Sequence, residues 1–595
     1  MFLRCSKRNK DGKIHRYWSV VENRRAGRKV VQRQVLYLGE INDSEREAWS
    51  RAISVFDEDR SEEQQLKLYP SDRSLPDHAE AQGVRLRLDQ MSLHRPRRWG
   101  DCWLALCLWD QLELDTFWIP RLEVSREGTD WLKVLKLLTV YRLLDPGSEW
   151  RLHRDWFDQC ALGDLLDADF AIAAKDTLYR CHDLLLEHKE DLFSHLHDRW
   201  RDLFNVEYEV LLYDLTSTYF ESDPPFPESD KRRFGYSRDK RSDCVQVVIA
   251  LVVSTEGLPL AYEVMPGNTL DNQTLRLFVD KIHQRYGKAK RVWLMDRGIP
   301  TEETLEWLRA SDPPVHYLVG TPKGRLTRHQ AELAKQPWSQ AREGVDVKLL
   351  PVSGEVYVLA RSRDRVHKEH AMRNRRLRRY LRALRKLRLE RKRPPSRDEL
   401  LKAIGAAAKD AGRDARVVVV ELPEEGQDVT PETFRYRVDR PKLRLLRERE
   451  GNYLLRTNQE EATAATLWEQ YMQLVQIEEV FRTLKGDLGV RPIWHQLEHR
   501  IEAHIFLSFQ AYCLQVTLRQ RLKSLAPGLT PRAVLEKMKS MQMVDVCFPT
   551  TDGRTLTLPR RTEPNNDQRL LLDQLKLKLP SQPKPRISAE TRNMV

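Results

Sequence analysis

The sequence has few features of exported or membrane-bound proteins. None of its eight cysteines forms a Cys-x-x-Cys pair, which argues against a structural zinc site, and scattered cysteines fit a reducing compartment. The first residues, Met1–Arg8, contain no apolar segment of the kind found in signal peptides. No apolar run approaches the roughly 20 residues that a membrane-spanning helix needs. We therefore expect a cytoplasmic protein that does not enter a membrane.

What the sequence does have is an excess of positive charge. Its 595 residues include 101 Lys and Arg against 88 Asp and Glu, which gives a formal net charge of +13 and a pI near 9.2. A chain of this length is expected to form several domains. Clustered positive charge suits a polyanion such as DNA, although from charge alone plain solubility explains the excess equally well.

The pattern of apolar residues changes along the chain and indicates six segments. The first, 1–94, has the pattern of a β-hairpin followed by a polar connector with one helix. Basic and aromatic residues alternate along the hairpin, so we expect it to contact DNA, with an ordinary solvated hairpin as the alternative. The other segments are a helical domain at 95–205, a catalytic domain in two parts at 206–322 and 458–550, an insertion at 323–457 and a loose C-terminal tail at 551–595.

The catalytic domain is indicated by five runs rich in β-branched residues. They are 208–215, 244–254, 258–265, 291–296 and 315–320. A helical pattern, 271–286, separates the third run from the fourth. Three strands, a helix and a fourth strand form the order of the RNase H-like fold, in which the first and fourth strands are neighbours. We therefore predict an α/β fold: an RNase H-like catalytic domain interrupted by a large mixed α+β insertion, preceded by a small β element and a helical domain.

The insertion contains a strongly basic helix. Between Arg373 and Arg393, twelve Lys or Arg stand against one Glu. Three leucines share one face of this helix: Leu377, Leu381 and Leu384. The arginines that we expect to contact the DNA backbone are Arg378, Arg379, Arg382 and Arg385. A solvated arm is the alternative. Further strands are expected at 345–361, 415–421 and 452–457, and further helices at 460–485 and 498–523.

Three acidic residues stand where they can share one metal site. Asp214 and Asp296 belong to the first and fourth predicted strands, and their side chains would then be neighbours. Glu478 lies in the helical pattern 460–485, where Tyr471, Glu478 and Lys485 are spaced by seven and fall within about 40° of one another. Each acid alone is weak support, but together they match the carboxylates that hold two divalent cations for phosphodiester chemistry.

At these residues the chain resembles the DDE transposases of bacterial insertion sequences that carry a Tyr-Arg-Glu-Lys signature. In the signature, Tyr is followed by two residues, Arg, three residues, Glu, six residues and Lys. Tyr471, Glu478 and Lys485 match it, whereas Leu474 replaces the Arg. Other segments that resemble the family are 235–243, 266–271, 296–298, 491–495 and 504–505.

The resemblance implies a transposase that binds terminal inverted repeats, cleaves at the ends and joins the 3′-OH to target DNA. Asp214, Asp296 and Glu478 would hold two Mg²⁺ ions, with Mn²⁺ as a substitute. Tyr471 and Lys485 would contact DNA, and Arg482 is a candidate replacement for the missing Arg. The implied partners are double-stranded DNA and a second copy of the chain in the DNA complex, in a nucleoid-associated location.

Two other functions stay open at this point. One is an RNase H-like nuclease that cuts without integrating, and the other is a catalytically silent DNA-binding protein. The presence of all three acids counts against the second. His495 and His504 are expected to be hydrogen-bonded structural residues rather than metal ligands.

Overall fold

The computed structural model describes most of the chain. The described residues are 2–10, 13–26, 29–40, 53–57, 60, 62–70, 83–122, 125–221, 227, 230–321, 329, 332–333, 335–389 and 395–588. Within these ranges the strands are β1 (Phe2–Lys10), β2 (Lys13–Ala26), β3 (Lys29–Glu40), β4 (Ile53–Asp57), β5 (Glu62–Pro70), β6 (Gly83–Leu86), β7 (Ser92–Arg98), β8 (Val210–Phe220), β9 (Val245–Ser254), β10 (Pro259–Pro266), β11 (Val292–Met295), β12 (His316–Gly320), β13 (Ser339–Arg342), β14 (Val345–Val352), β15 (Glu355–Ser362), β16 (Val418–Glu421), β17 (Arg435–Val438), β18 (Asn452–Thr457), β19 (Gln542–Pro549), β20 (Thr555–Arg561) and β21 (Arg586–Ser588).

Helices connect and cover these strands. The α-helices are Gly100–Gln111, Leu114–Trp118, Trp131–Leu144, Glu149–Arg151, Phe157–Gln159, Leu162–Leu166, Lys175–His182, Lys189–Phe204, Leu275–Tyr286, Glu302–Ala310, Arg363–Leu389, Arg397–Ala411, Arg440–Glu448, Ala464–Met472, Leu474–Lys485, Glu498–Leu525, Pro531–Lys539 and Asn566–Gln574. Short 3₁₀ segments occur at Leu88–Gln90, Phe170–Ala173, Leu186–His188, Asp271–Gln273 and Gly412–Val417, with a π turn at Leu152–Trp156. In the described part of the chain, no helix has both the length and the apolar character that crossing a membrane would take.

A nine-stranded mixed sheet forms the centre of the protein. Its strand order is β10-β9-β8-β11-β12-β18-β15-β14-β13. β8 pairs with β9 in antiparallel and with β11 in parallel orientation. The chain runs through β8, β9 and β10, then the helix Leu275–Tyr286, then β11, as the sequence predicted. The neighbouring positions of β8 and β11 decide where the predicted acidic residues lie.

Helices cover both faces of the central sheet because successive side chains of each strand point to opposite faces. On one face Leu211 and Tyr213 pack with the helices Leu275–Tyr286 and Glu302–Ala310. On the other face Leu212 packs in a larger core. The helix Glu498–Leu525 belongs to this larger core and buries side chains around its whole circumference. The helices within 95–205 join the same core, so the expected helical domain shares its interior with the catalytic sheet.

The expected insertion contributes strands to the central sheet. β14, β15 and β18 lie within the range that the sequence assigned to the insertion, yet β18 pairs with both β12 and β15. The separate part is therefore smaller than 323–457. It comprises the basic helix, the helix Arg397–Ala411 and the β16–β17 hairpin, which share their own apolar core. Ser396 and Glu399 form the expected capping box at the second helix.

The expectations of a polar connector with one helix within 1–94 and of a loose C-terminal tail at 551–595 are both wrong for the described residues. β4 to β7 and β19 to β21 form one seven-stranded sheet of order β6-β5-β4-β21-β20-β19-β7. Its apolar side chains, among them Val55, Leu66, Leu556 and Ile587, are buried against one another. This pairing joins the two ends of the chain, and it stabilises segments that look polar and unstructured when each is considered alone.

Two further differences concern helices and the N-terminal hairpin. The predicted continuous helix 460–485 is divided at Gln473, where hydrogen bonds to carbonyl groups three residues back tighten one turn. β2 and β3 form the expected hairpin, and β1 adds a third strand beside β2. The turn at Gly27 lies outside the described residues.

Candidate active site

Asp214 lies in the middle of the central sheet, on β8. The side chain is half-buried, and its Oδ1 accepts a hydrogen bond from the backbone N–H of Leu215 at 2.8 Å. Burial raises the pKa of this carboxyl group to about 7; the charges of Asp296 and Asp271 raise it further, while the Leu215 N–H and Arg238 oppose the rise. An acidic group with this pKa marks a locally anionic, poorly hydrated position of the kind found at functional sites.

Asp296 follows β11 directly and is exposed. The parallel register pairs Met295 with Tyr213, so Asp296 comes level with Asp214 one residue further along each chain. Its Oδ1 accepts a hydrogen bond from the backbone N–H of Arg297 at 2.7 Å. The second carboxylate oxygen of Asp296 is therefore left for other ligands, and the two aspartates are electrostatically coupled across adjacent strands.

Glu478 lies on the helix Leu474–Lys485, which packs against β8. Apolar side chains of this helix are buried, among them Ile477, Val480, Phe481 and Leu484. Glu478 is on the exposed side. The same periodicity that anchors the helix therefore leaves this carboxylate free to face the solvent beside the sheet.

Tyr471 lies on the helix Ala464–Met472, which precedes the helix that carries Glu478. Its ring packs near Tyr453 and Trp468, with ring centroids 5.4 Å and 5.9 Å away. Burial raises the pKa of Tyr471 to about 12, and the charges of Asp296 and Glu478 contribute in the same direction. Asp296 therefore lies near Asp214 on one side and, together with Glu478, near Tyr471 on the other.

The predicted DNA-contacting residues of this helix have different surroundings. Lys485 is mostly buried, and its Nζ lies 3.0 Å from Asp239 Oδ1. Arg482 has a side chain that is 79% exposed, with Glu479 3.7 Å away. Leu474, at the signature position of the Arg, packs against the large core and offers no charge. Arg482 is thus placed to meet a ligand from solvent, whereas Lys485 already has an anionic partner.

Sequence reasoning assigned no role to Arg238, Asp239, Asp271 and Arg491, which surround the acids. Arg238 forms an ion pair with Asp271, and both charges act on Asp214. Arg491 Nη1 lies 2.6 Å from Asp239 Oδ1. These residues fall in segments that resemble the family, and that resemblance was the available signal. Their roles are visible only once the fold brings segments more than two hundred residues apart into contact.

The four arginines predicted to contact DNA lie on the exposed side of the basic helix Arg363–Leu389. The opposite side of this helix is buried through Leu377, Tyr380 and Leu384. Among the described residues, no Asp or Glu forms an ion pair with any of the four. Arg378, Arg379, Arg382 and Arg385 therefore present a row of cations to solvent.

His495 and His504 lie in a buried polar cluster with Glu149. Glu149, His495 and His504 can each place one donor atom within 4.8 Å of the others, a spacing that a metal ion could use. However, Arg142 Nη2 lies 3.4 Å from both Glu149 Oε1 and His504 Nδ1, so a guanidinium group already supplies the positive charge. His182 Nε2 lies 3.3 Å from Glu149 Oε1. This arrangement is consistent with structural histidines.

Two known protein families match parts of this chain. The profile of the family described as "Transposase DDE domain" matches residues 205–514, slightly more than half of the chain. A second profile, "IS1634 family transposase, N-terminal domain", matches residues 3–65. No curated protein matches the chain. Among solved structures, the piggyBac transposase synaptic complex with hairpin DNA is similar with 11% identity and a TM-score of 0.32, covering 76% of this chain and 82% of that chain. That score is too low to carry an argument.

Proposed function

The chain belongs to the insertion-sequence transposases with a DDE domain, and from this premise we propose that it binds the terminal inverted repeats of its own element, cleaves at the ends and joins the 3′-OH to target DNA. The observation that supports this most is the grouping of carboxylates: Asp214 and Asp296 on adjacent strands, and Glu478 on a helix packed beside them. The order of β8 to β11 also supports an RNase H-like assignment for this part of the sheet.

Divalent cations are implied by the family, and the residues present fit them. The donors are carboxylate oxygens, which Mg²⁺ prefers. Burial is the main cause of the raised pKa of Asp214, and the nearby charges of Asp296 and Asp271 add to it; a bound cation would favour the charged form of this carboxyl group. We propose Asp214, Asp296 and Glu478 as the ligands. Two Mg²⁺ ions, when bound, would activate a water or a DNA 3′-OH and stabilise the leaving 3′ oxygen, with Mn²⁺ as a substitute.

The residues of this chain would prepare the site in three ways. The Leu215 and Arg297 N–H groups each hold one oxygen of an aspartate, which fixes the direction of the remaining oxygens. Tyr471, packed against Tyr453, limits water on the side of Asp296 and Glu478 and contacts DNA there. The exposed Arg482, one turn beyond Glu478, reaches towards a DNA phosphate in this arrangement.

The row of arginines on the basic helix would hold DNA further from the chemistry. Arg378, Arg379, Arg382 and Arg385 are exposed and without acidic partners among the described residues, so they suit phosphate groups better than base edges. We also propose that two copies of the chain act on a pair of ends, as the family implies.

A strand-transfer assay tests the proposal directly. The purified chain is mixed with Mg²⁺, a target plasmid and a pre-cleaved duplex that ends in the terminal repeat found beside its coding region. Joined products that require the 3′-OH support a transposase. A parallel reaction contains a duplex in which the same end is uncut. Cleavage of that end without joining in either reaction would instead identify a nuclease, and binding without either reaction would identify a silent DNA-binding protein.

A further inference from the structure

Lys485 and Arg491 converge on a single carboxylate, that of Asp239. Lys485 Nζ lies 3.0 Å from Asp239 Oδ1, and Arg491 Nη1 lies 2.6 Å from the same oxygen. The side chains of Lys485 and Asp239 are only 12% and 10% exposed, whereas that of Arg491 is 31% exposed and reaches the site from its open side. Two cations on one anion leave one positive charge unmatched in a place with little water. Such a pair of cations is a strong site for an anion.

The carboxylate of Asp239 is not fully satisfied where it lies. Its Oδ2 is buried and has no hydrogen-bond partner among the described residues. Asp239 sits in a turn in which Lys240 N–H bonds to Ser237 O and Lys240 has a φ of 61°, a conformation that costs energy for a side chain other than glycine. An unpaired buried oxygen and a strained neighbour both favour release of this turn when another anion can take its place.

The position of the two cations relative to Glu478 suits a DNA strand. Lys485 is seven residues beyond Glu478 on one helix, about 10 Å along its axis. That distance corresponds to roughly three nucleotide steps of about 3.4 Å each. A strand that ran along this helix with its reacting phosphate beside Glu478 would bring another phosphate near Lys485.

Arg491 also accounts for the missing arginine of the family signature. Leu474 fills that position and packs into the core. Arg482 is on the exposed side of the helix and does not share a partner with Lys485. Arg491 is held beside Lys485, with its guanidinium carbon 5.9 Å from the centre of the Tyr219 ring. Arg491 is therefore the cation that lies next to Lys485 in the structure, since both contact Asp239 Oδ1.

We propose that Lys485 and Arg491 form a binding site for one DNA phosphodiester group, and that Asp239 occupies this site in the DNA-free protein and is displaced by DNA. The inference rests on the proposed function, because the ligand is the DNA on which the acids act. The proposal and a purely structural role for Asp239 predict opposite changes in DNA affinity. If Asp239 competes with a DNA phosphate, removing its charge strengthens DNA binding, whereas if Asp239 only supports the fold, removing its charge weakens or does not change DNA binding.

The test measures binding of a fluorescent duplex carrying the terminal repeat, in Ca²⁺ to prevent cleavage, across a salt series. Asp239→Asn keeps the size of the side chain and removes the competing charge, and it should tighten binding about tenfold, the effect of removing one charge-assisted interaction. Arg491→Gln should weaken binding about tenfold and reduce the salt slope by about one unit. The matched control, Arg491→Lys, keeps the charge and should retain most of the affinity.

The outcomes separate the possibilities cleanly. Weaker or unchanged binding by a folded Asp239→Asn protein would make Asp239 a structural support and overturn the inference. If Asp239→Asn does not fold, the comparison of Arg491→Gln with Arg491→Lys decides, and equal affinity of those two variants overturns the site. Cleavage by the wild-type protein in Mg²⁺ is measured in parallel. If the variants show the expected order of DNA affinities but the wild-type protein does not cleave DNA, the proposed transposase activity is rejected and the phosphate site is retained.

Discussion

Replacing the four exposed arginines of the basic helix by alanine should weaken binding to every DNA sequence alike. The variant Arg378→Ala, Arg379→Ala, Arg382→Ala and Arg385→Ala leaves the buried face of the helix unchanged, since that face is formed by other side chains. Alanine favours helix formation, and surface substitutions usually change stability by less than about 0.5 kcal/mol each. A loss of binding would therefore come from lost charge and not from unfolding.

The size of the effect follows from the number of phosphate contacts. Each contact contributes about 0.9 units to the slope of the logarithm of affinity against the logarithm of salt concentration. Four contacts give a change of roughly 3.6 units, which is an upper bound because it requires every arginine to reach a phosphate. Between 50 and 200 mM salt, the wild-type protein would then lose roughly 150-fold more affinity than the variant.

The assay is a salt titration of binding with a terminal-repeat duplex and a scrambled duplex. A matched control removes four arginines of similar exposure that already have acidic partners: Arg151, Arg180, Arg201 and Arg276. It lowers the net charge equally but should leave the slope nearly unchanged. A slope change below about one unit in the first variant would refute the assignment of this helix to DNA. The basic face of the N-terminal hairpin would then be the leading candidate.

Three other predictions test the site and the fold. Glu478→Gln should abolish cleavage in Mg²⁺ while its affinity for the transposon end stays within about twofold of the wild type. The control Glu479→Gln changes a side chain about 100° around the helix and should still cleave. If Glu478→Gln cleaves DNA, Glu478 is not a metal ligand. Gly267→Ala should lower stability by about 1–3 kcal/mol, because its Cβ would lie 2.0 Å from Gln246 O. Gly405→Ala, in open space within a helix, should instead raise the melting temperature slightly. Burial lowers the pKa of His182 and His504 below the usual 6.5, so the unfolded chain binds more protons than the folded chain once the pH falls through that value. The stability of the fold should therefore fall from pH 7.5 to 5.5. In thermal melts, this fall should be smaller for His504→Gln.

The order of strands in the catalytic part could be predicted because the apolar pattern of each short segment indicates its secondary structure. Residues 247–253 are a continuous apolar run, and the strand that contains them, Val245–Ser254, is buried along its whole length. Asp214 and Asp296 interrupt or end such runs, and a polar residue in an otherwise buried strand is noticeable in any sequence. The neighbouring positions of β8 and β11 then placed the two acids side by side, as the pairing shows.

The remaining features depend on contacts that no local pattern contains. Ile587 is buried and pairs with Leu556 and with β4, at the other end of the chain. A segment rich in proline and lysine gives no sign of such a partner. The division of the helix at Gln473 is similar, since no proline or glycine marks it. Tyr471 turns towards Tyr453 and Trp468 there, and this tertiary packing outweighs the preference for a straight helix.

The turn between Ser237 and Lys240 shows how the two halves of the candidate site depend on each other. Arg238 pairs with Asp271 and acts on Asp214, on the side of the sheet acids. The next residue, Asp239, holds Lys485, on the helix that carries Glu478. Two consecutive residues therefore connect the strand acids with the helix acid, although about two hundred and forty residues separate Asp239 from Lys485 in the sequence. A DNA phosphate that replaced Asp239 would release the turn, and Arg238, which lies in the same turn, would move with it. In the proposed arrangement, DNA binding at Lys485 and the charge around Asp214 would thus be linked through one short segment.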